Sequence, residues 1–256
     1  MSRVLFTGER LHEGDALFGV DLARHHAAYE FAKTHMAGGP VLDLGSGSGY
    51  GAASLAGVGP RVIGVDRIEP DAKNRGSGAL FVRADIAALP LAERRFKLVV
   101  SFQVIEHLLD PEPYLNAIAR FAREDGLAIL TTPNLLMSDG VNPFHVHEYR
   151  GDELAEALTP HFHEVEVWGV GMSPPIRQYM ADRSQRIQRI MRLDPLRLRD
   201  RLPRGFVDKL FAAGALLVRR QSAGPDGTPP ATPDDFPIEP LRDDAIDLLA
   251  VCRRPR

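Results

Sequence analysis

Twelve residues, Val41-Leu42-Asp43-Leu44-Gly45-Ser46-Gly47-Ser48-Gly49-Tyr50-Gly51-Ala52, constrain this chain more than any other stretch. An apolar run carries an acidic residue, glycine then takes every second place, and small residues suited to a helix start follow; the pattern reads as strand, tight loop, helix. Glycines at 45, 47 and 49 allow positive φ and let a ligand approach main-chain atoms with no Cβ in the way. The loop departs from the dinucleotide fingerprint G-x-G-x-x-G, because the third glycine would fall at Tyr50. It also lacks the Lys-Ser/Thr of a phosphate-binding loop, and Asp43 stands where a carboxylate would repel a pyrophosphate. A cationic or zwitterionic ligand is favoured.

The rest of the chain reads as strands alternating with helices. Apolar residues recur with helical spacing from Ala16 to Met36, and Val41–Leu44 is the first strand. Arg61–Val65 is the second and ends on Asp66, 23 residues after Asp43, where a carboxylate can accept two ribose hydroxyls. Strands at 79–84, 96–101, 127–131 and 163–170 follow, with Asp85 past the end of the third. Residues 103–107 come after the fourth, where the crevice of an α/β sheet opens. Alternation resumes at 245–252, the seventh strand, so about 70 residues intervene between strands six and seven, far more than an ordinary connection. Four parts are expected: a core over 1–170 with a leader helix, a basic helical insertion or lid over 171–220, a flexible linker over 221–240, and the returning strand over 241–256.

D-x-G-x-G-x-G after a strand resembles motif I of the class I S-adenosylmethionine-dependent methyltransferases. V-I-E-H-L-x-D-P at 104–111 is similar to the ubiquinone and menaquinone biosynthesis type. The resemblance implies an α/β, Rossmann-like fold with a seven-stranded, mostly parallel sheet whose last strand is antiparallel. It implies S-adenosylmethionine as cofactor, with Asp43, Gly45, Ser46, Gly47, Gly49 and Tyr50 at its amino-acid end. Asp66 and Arg67 fall at the ribose, Asp85 and Ile86 at the adenine, and Gln103 to His107 on the sulfonium side. Thr7-Gly8-Glu9-Arg10 and the helix bearing His25, His26 and Tyr29 resemble a leader that covers the cofactor.

Methyl transfer from a sulfonium is an in-line displacement of a good leaving group, so holding nucleophile and methyl in line can be worth about 7 to 11 kcal/mol. A base is needed only for a hydroxyl or a protonated amine. His107, His145 and His147 are the candidates, with Glu148 as an orienting carboxylate. The expected acceptor is a small molecule methylated on oxygen, and no metal is expected. Two alternatives stay open. Glu106-His107, Thr132-Pro133-Asn134 and His145-x-x-Glu148-Tyr149 are also similar to the small-RNA 2′-O-methyltransferases, which implies Glu106, His107 and His145 as metal ligands, with Gln103 where that family has a second glutamate. The other is a nicotinamide-dependent oxidoreductase, which needs the missing third glycine.

Composition closes off other classes. Cys252 is alone, which excludes an intramolecular disulfide and a thiolate zinc cluster and suits a reducing compartment. No apolar run reaches the roughly 18 residues of a membrane span, and the start has no signal-peptide pattern, so the expected location is the cytoplasm. Net charge is −3, yet 176–220 carries twelve Arg or Lys against four Asp, a balance of +8 that leaves −11 for the rest. Arg183, Arg186, Arg189 and Arg192, with Ile187, Ile190 and Met191, form an amphipathic helix. Such a lid suits an anionic, sugar-linked or lipid-like acceptor or peripheral membrane contact. A nucleic-acid partner is not expected, since aromatics hardly interleave the basic residues. The sequence assigns no oligomeric state.

Overall fold

The computed structural model describes residues 16–36, 38–59, 61–86, 89, 91–140, 142–191 and 228–256. Thr7-Gly8-Glu9-Arg10, Arg192, most of the basic insertion with Pro195 and Pro203, and the start of the expected linker lie outside them.

Short runs rich in β-branched and aliphatic residues form β1 (Val41–Leu44), β2 (Val62–Asp66), β3 (Leu80–Arg83) and β4 (Phe96–Phe102). β5 (Ala122–Pro133), β6 (Phe162–Val170), β7 (Ile238–Pro240) and β8 (Asp247–Pro255) complete one sheet in the order β3-β2-β1-β4-β5-β8-β6-β7. β3, β2, β1, β4 and β5 are mutually parallel. β8 runs antiparallel to both neighbours, β5 and β6, over seven and eight paired positions. The mostly parallel sheet with an antiparallel C-terminal strand is therefore the architecture expected.

Among the described residues the sheet has eight strands, not seven. The extra one, β7, pairs antiparallel with β6 from Trp168↔Pro240 to Val170↔Ile238. The stretch before it is also fixed: Thr232 and Asp235 cap a 3-10 turn over Pro233–Asp235 reciprocally, and Phe236 is buried. Over 232–240 the expected flexible linker thus gives way to hydrogen-bonded structure. β5 starts earlier than expected, because Asp125-Gly126 is drawn into the strand, where Asp125 pairs with Lys97 of β4 at 2.8 Å.

Helices cover both faces, giving two cores. On one face lie α1 (Gly19–Thr34), α2 (Tyr50–Ala56) and α5 (Pro174–Met191), with Val20, Ala27, Leu55, Ile176 and Tyr179 buried together. On the other lie α3 (Glu112–Phe121) and α4 (Gly151–Leu158). There Leu115, Ile118, Phe121, Leu154 and Leu158 meet Leu42, Val99 and Leu130 of the sheet. Apolar residues three and four apart on α3 account for its buried face. Cys252 is buried in this second core and its thiol is pushed up to about 12 by burial, which makes it a packing residue.

α5 corrects one sequence reading. Its inward stripe is Ile176, Tyr179, Met180 and Arg183, so Arg183 does not belong to a purely solvated face. Its guanidinium meets Asp21 of α1 at 3.0 Å, and Arg177 meets Asp244 at 2.8 Å. Arg186 and Arg189 are exposed. Replacing Arg183 by Met would take one cation from beside the buried Asp21. For a pair between the fully exposed and fully buried limits we expect a loss of about 1–2 kcal/mol, read as a lower urea midpoint with an unchanged slope. Among the described residues no helix is long and apolar enough to cross a membrane.

Candidate active site

The strand order reverses between β1 and β4, so a crevice opens beyond their C-terminal ends. The glycine turn fills its floor. Gly45 and Ser46 donate their amides to the Val65 carbonyl at 2.8 and 3.0 Å, tying the turn to β2. Gly45 (φ +82°) could not carry a side chain, since a Cβ there would come 2.4 Å from Val104. Gly47 (φ +54°) differs: nothing lies within 4 Å of where its Cβ would be. The turn is packed on one side and open on the other, which is the shape of a cradle.

Asp43 sits beneath this opening with 0% exposure. Tyr29 donates its hydroxyl to Oδ2 at 3.2 Å, while Oδ1 has no hydrogen-bond partner. Burial pushes the carboxyl up to about 7, against the Tyr29 hydrogen bond and with help from Asp66. Tyr29 explains Gly51 as well, since a Cβ at 51 would fall 1.8 Å from the tyrosine ring. α1 continues this cover: His25 Nδ1 and the Tyr50 hydroxyl lie 2.8 Å apart, and His26 and Tyr50 place their rings 5.2 Å apart.

Asp66 accepts the Gly47 amide on Oδ2 at 2.8 Å and the Ile68 amide on Oδ1 at 3.0 Å. Each carboxylate oxygen can accept a second bond, so capacity for hydroxyls persists. Arg67 and Asp85 form an exposed ion pair at 2.7 Å, and Ile86 is half-buried beside the second core. Gln103 holds an unusual φ of +56°, fixed by its amide to the Thr131 carbonyl at 2.9 Å. Its side chain turns to Thr131 and to the buried Asp247, which in turn meets Arg24 at 3.3 Å.

A second cluster forms beyond β4. Glu106 is 0% exposed; Thr132 donates to its Oε2 at 3.1 Å, and Oε1 has no hydrogen-bond partner. Burial raises this carboxyl to about 7, against the pull of His107 and His145. The Glu106 carbonyl accepts the amides of Val146 and His147 at 2.7 and 3.2 Å, which pins the distant 142–149 loop here. His145 is thereby placed beside His107, their rings 5.2 Å apart. His107 bonds the Phe144 carbonyl through Nδ1 at 3.0 Å, and His145 Nδ1 bonds Glu148 at 2.6 Å. On Glu148, burial raises the carboxyl, but the bonds from His145 and Ser138 leave it below its usual value. His147 is set apart: it pairs with Glu153 of α4 at 2.5 Å and packs on Tyr149. The residues not singled out from sequence are Arg24 and Asp247, whose pairing joins α1 to β8 by a tertiary contact without a sequence pattern.

An α/β sheet with an open glycine turn over a buried carboxylate at its switch point is the architecture of the Rossmann-like class. Residues 22–161 match the family model of a methyltransferase domain. A protein of Mycolicibacterium smegmatis described as a probable S-adenosylmethionine-dependent methyltransferase is 33% identical, over 99% of this chain and 96% of its own. The chain belongs to the class I S-adenosylmethionine-dependent methyltransferases, and it is an enzyme with S-adenosylmethionine as its cofactor. A ubiquinone biosynthesis O-methyltransferase of Rhizobium rhizogenes is 31% identical over 44% of this chain and 51% of that one. The fold is also that of a Thermotoga maritima S-adenosylmethionine-dependent methyltransferase, with TM-score 0.57 and 15% identity over 93% and 92% of the two chains.

The residues present fit the cofactor: the unpartnered Asp43 oxygen suits a cationic head, and the cradle at Gly47 admits it. Alanine at Gly47 should cost about 1 kcal/mol of stability, for a left-handed conformation without glycine. Its methyl would also stand in the opening, so the affinity for S-adenosylhomocysteine measured by calorimetry should fall by about tenfold, roughly 1.4 kcal/mol.

Proposed function

We propose that this methyltransferase transfers the methyl group to a hydroxyl oxygen of a small molecule with an apolar body. The observation that carries the reading is the His145–Glu148 pair beside the half-exposed His107, at the end of β4 where an acceptor would enter. Bound S-adenosylmethionine supplies an electrophilic methyl on a sulfonium whose sulfur leaves neutral. In this reading the glycine turn from Gly45 to Gly49, with Asp43, holds the amino-acid end. Asp66 takes the ribose, Ile86 and Asp85 (the latter alongside Arg67) flank the adenine, and Gln103 to His107 line the sulfonium side. His145 accepts the acceptor's proton at Nε2, with Glu148 holding Nδ1–H and so fixing the tautomer.

Support for an apolar body comes from Leu135, Leu136, Met137 and Val146, all partly exposed on the two loops beside the histidine pair. Support for oxygen comes from the Rhizobium relative, named an O-methyltransferase. An anionic acceptor draws less support than the sequence suggests, because Arg183 and Arg177 are engaged by Asp21 and Asp244. Incubation with methyl-labelled cofactor and a panel of phenols, sugars, hydroxylated lipids and amines tests the proposal. A labelled methyl ether is the expected product; label appearing only on nitrogen or carbon would overturn it.

A further inference from the structure

We propose that Asp247 is a positioning residue for the methyl donor: it locks the side-chain amide of Gln103 with the carbonyl oxygen Oε1 turned to the crevice, where that oxygen favours a positively charged sulfonium over the neutral sulfur of the product. The inference rests on the proposed placement of Gln103 on the sulfonium side and adds to it a residue from the last strand of the sheet.

Asp247 is out of place by composition. It is the single charged side chain in Ala245-Ile246-Asp247-Leu248-Leu249-Ala250-Val251-Cys252, a run that is buried throughout. Burial raises its carboxyl, with the Arg24 guanidinium at 3.3 Å acting against that and favouring the charged form. An apolar residue of similar volume would serve the strand better, so the carboxylate is to be understood by what it holds. Strand register places it. Asp247 pairs with Pro133 and Leu249 with Thr131, so the Asp247 and Thr131 side chains stand on the same face of β5 and β8, the face that α1 covers.

What it holds is Gln103. The Gln103 main chain takes φ +56°, a left-handed conformation unusual for a residue with a side chain, and its amide is tied to the Thr131 carbonyl at 2.9 Å. Side-chain Nε2 donates to Thr131 Oγ1 in a long bond of 3.4 Å and to the neighbouring Asp247 carboxylate. An ionised carboxylate only accepts, so the amide cannot reverse without setting two oxygens against each other. With both Nε2 hydrogens committed, Oε1 is the end left to the crevice. The crevice lies at this corner: the next residue, Val104, closes against Gly45 of the glycine turn, and Ser101 donates to the Leu44 carbonyl at 2.5 Å. A fixed carbonyl dipole in a half-buried position interacts far more with a unit positive charge than with a neutral thioether of nearly the same shape. This wall of the site therefore grips the donor and relaxes its hold once the charge is gone.

The test is calorimetry of the full-length protein with S-adenosylmethionine and with S-adenosylhomocysteine, no acceptor present, read as the ratio of the two affinities. Gln103→Met and Asp247→Asn should each shift that ratio by about tenfold towards the neutral ligand, the size of one contact to a charged group. The double variant should shift it no further, because both changes remove the same interaction. Circular dichroism checks the fold of each variant. Thr131→Val, which removes the other anchor of Nε2, should give a smaller shift and serves where Asp247→Asn does not fold. A ratio kept intact in folded Asp247→Asn while Gln103→Met shifts it would overturn the role of Asp247 and leave Gln103 on the sulfonium side. Equal weakening of both ligands in Asp247→Asn, or additive shifts in the double variant, would also overturn that role. If Gln103→Met alters neither affinity, the placement of Gln103 is wrong and the inference falls with it.

Discussion

His145→Ala should lower kcat by about 10²- to 10⁴-fold, the range for loss of a group that handles a proton in the transition state. Affinity for S-adenosylhomocysteine should be nearly unchanged, because His145 stands on the acceptor side, on the 142–149 loop, and is not among the cofactor's proposed partners. Glu148→Gln should produce a smaller fall in kcat, since glutamine keeps an acceptor for the Nδ1 proton but lacks the charge that strengthens the bond. His147→Ala should leave kcat nearly unaltered, because His147 is committed to Glu153 on the outside of the loop. Steady-state kinetics on the three variants checks the order. Should His147→Ala prove as damaging as His145→Ala, the proposed division between the two histidines would be wrong.

Asp43→Asn should weaken S-adenosylhomocysteine binding by about 10- to 100-fold at pH 8, the equivalent of one hydrogen bond to a charged partner. Stability should move the other way. Burial pushes the Asp43 carboxyl up to about 7 in the folded chain, against the ordinary aspartate value of 3.8 that holds when the chain is unfolded. Between these values the folded state holds a proton that the unfolded state has released. Stability therefore falls as pH rises through that window and carries the full penalty above about 7. Asparagine removes this contribution, so the variant without ligand should gain in thermal midpoint relative to wild type as pH rises from 4 to 8. In the proposed site the cofactor's ammonium would favour the ionised carboxylate, so binding should expel the proton and wild-type affinity should weaken as pH falls below about 7. Calorimetry in two buffers of different ionisation enthalpy reads the proton release directly, and equal heats in both would count against Asp43 as the ammonium's partner.

Both residues stand at places the sequence pointed to, for different physical reasons. Asp43 is legible because a strand of four residues leaves little freedom: the run Val41 to Leu44 must be buried, and glycines must follow where the backbone turns under a ligand. The same holds for β2 and β4, short apolar runs that can occupy only the middle of a parallel sheet. β7 was not legible, because Ile238-Glu239-Pro240 is too short to alternate and its pairing is dictated by Val170 and Trp168 on another strand. The meeting of His145 with His107 is expected only through the family resemblance; its physical cause, two main-chain amides reaching the Glu106 carbonyl, carries no sequence signature. Arg183 shows a third case: helical spacing places it correctly on the amphipathic stripe, but only the presence of Asp21 opposite turns it inward.

β8 threads between β5 and β6, both of which are synthesised well before it. On the ribosome, chain elongation at about 5–20 residues per second leaves β6 without its long neighbour for several seconds after it emerges. For that interval β5 and β6 are open edges with unpaired amides and carbonyls, a template for another nascent chain as much as for β8. Vectorial synthesis thus makes the last strand of the sheet a closing latch, and the interval before it arrives is when this fold is most exposed to chaperone capture or aggregation.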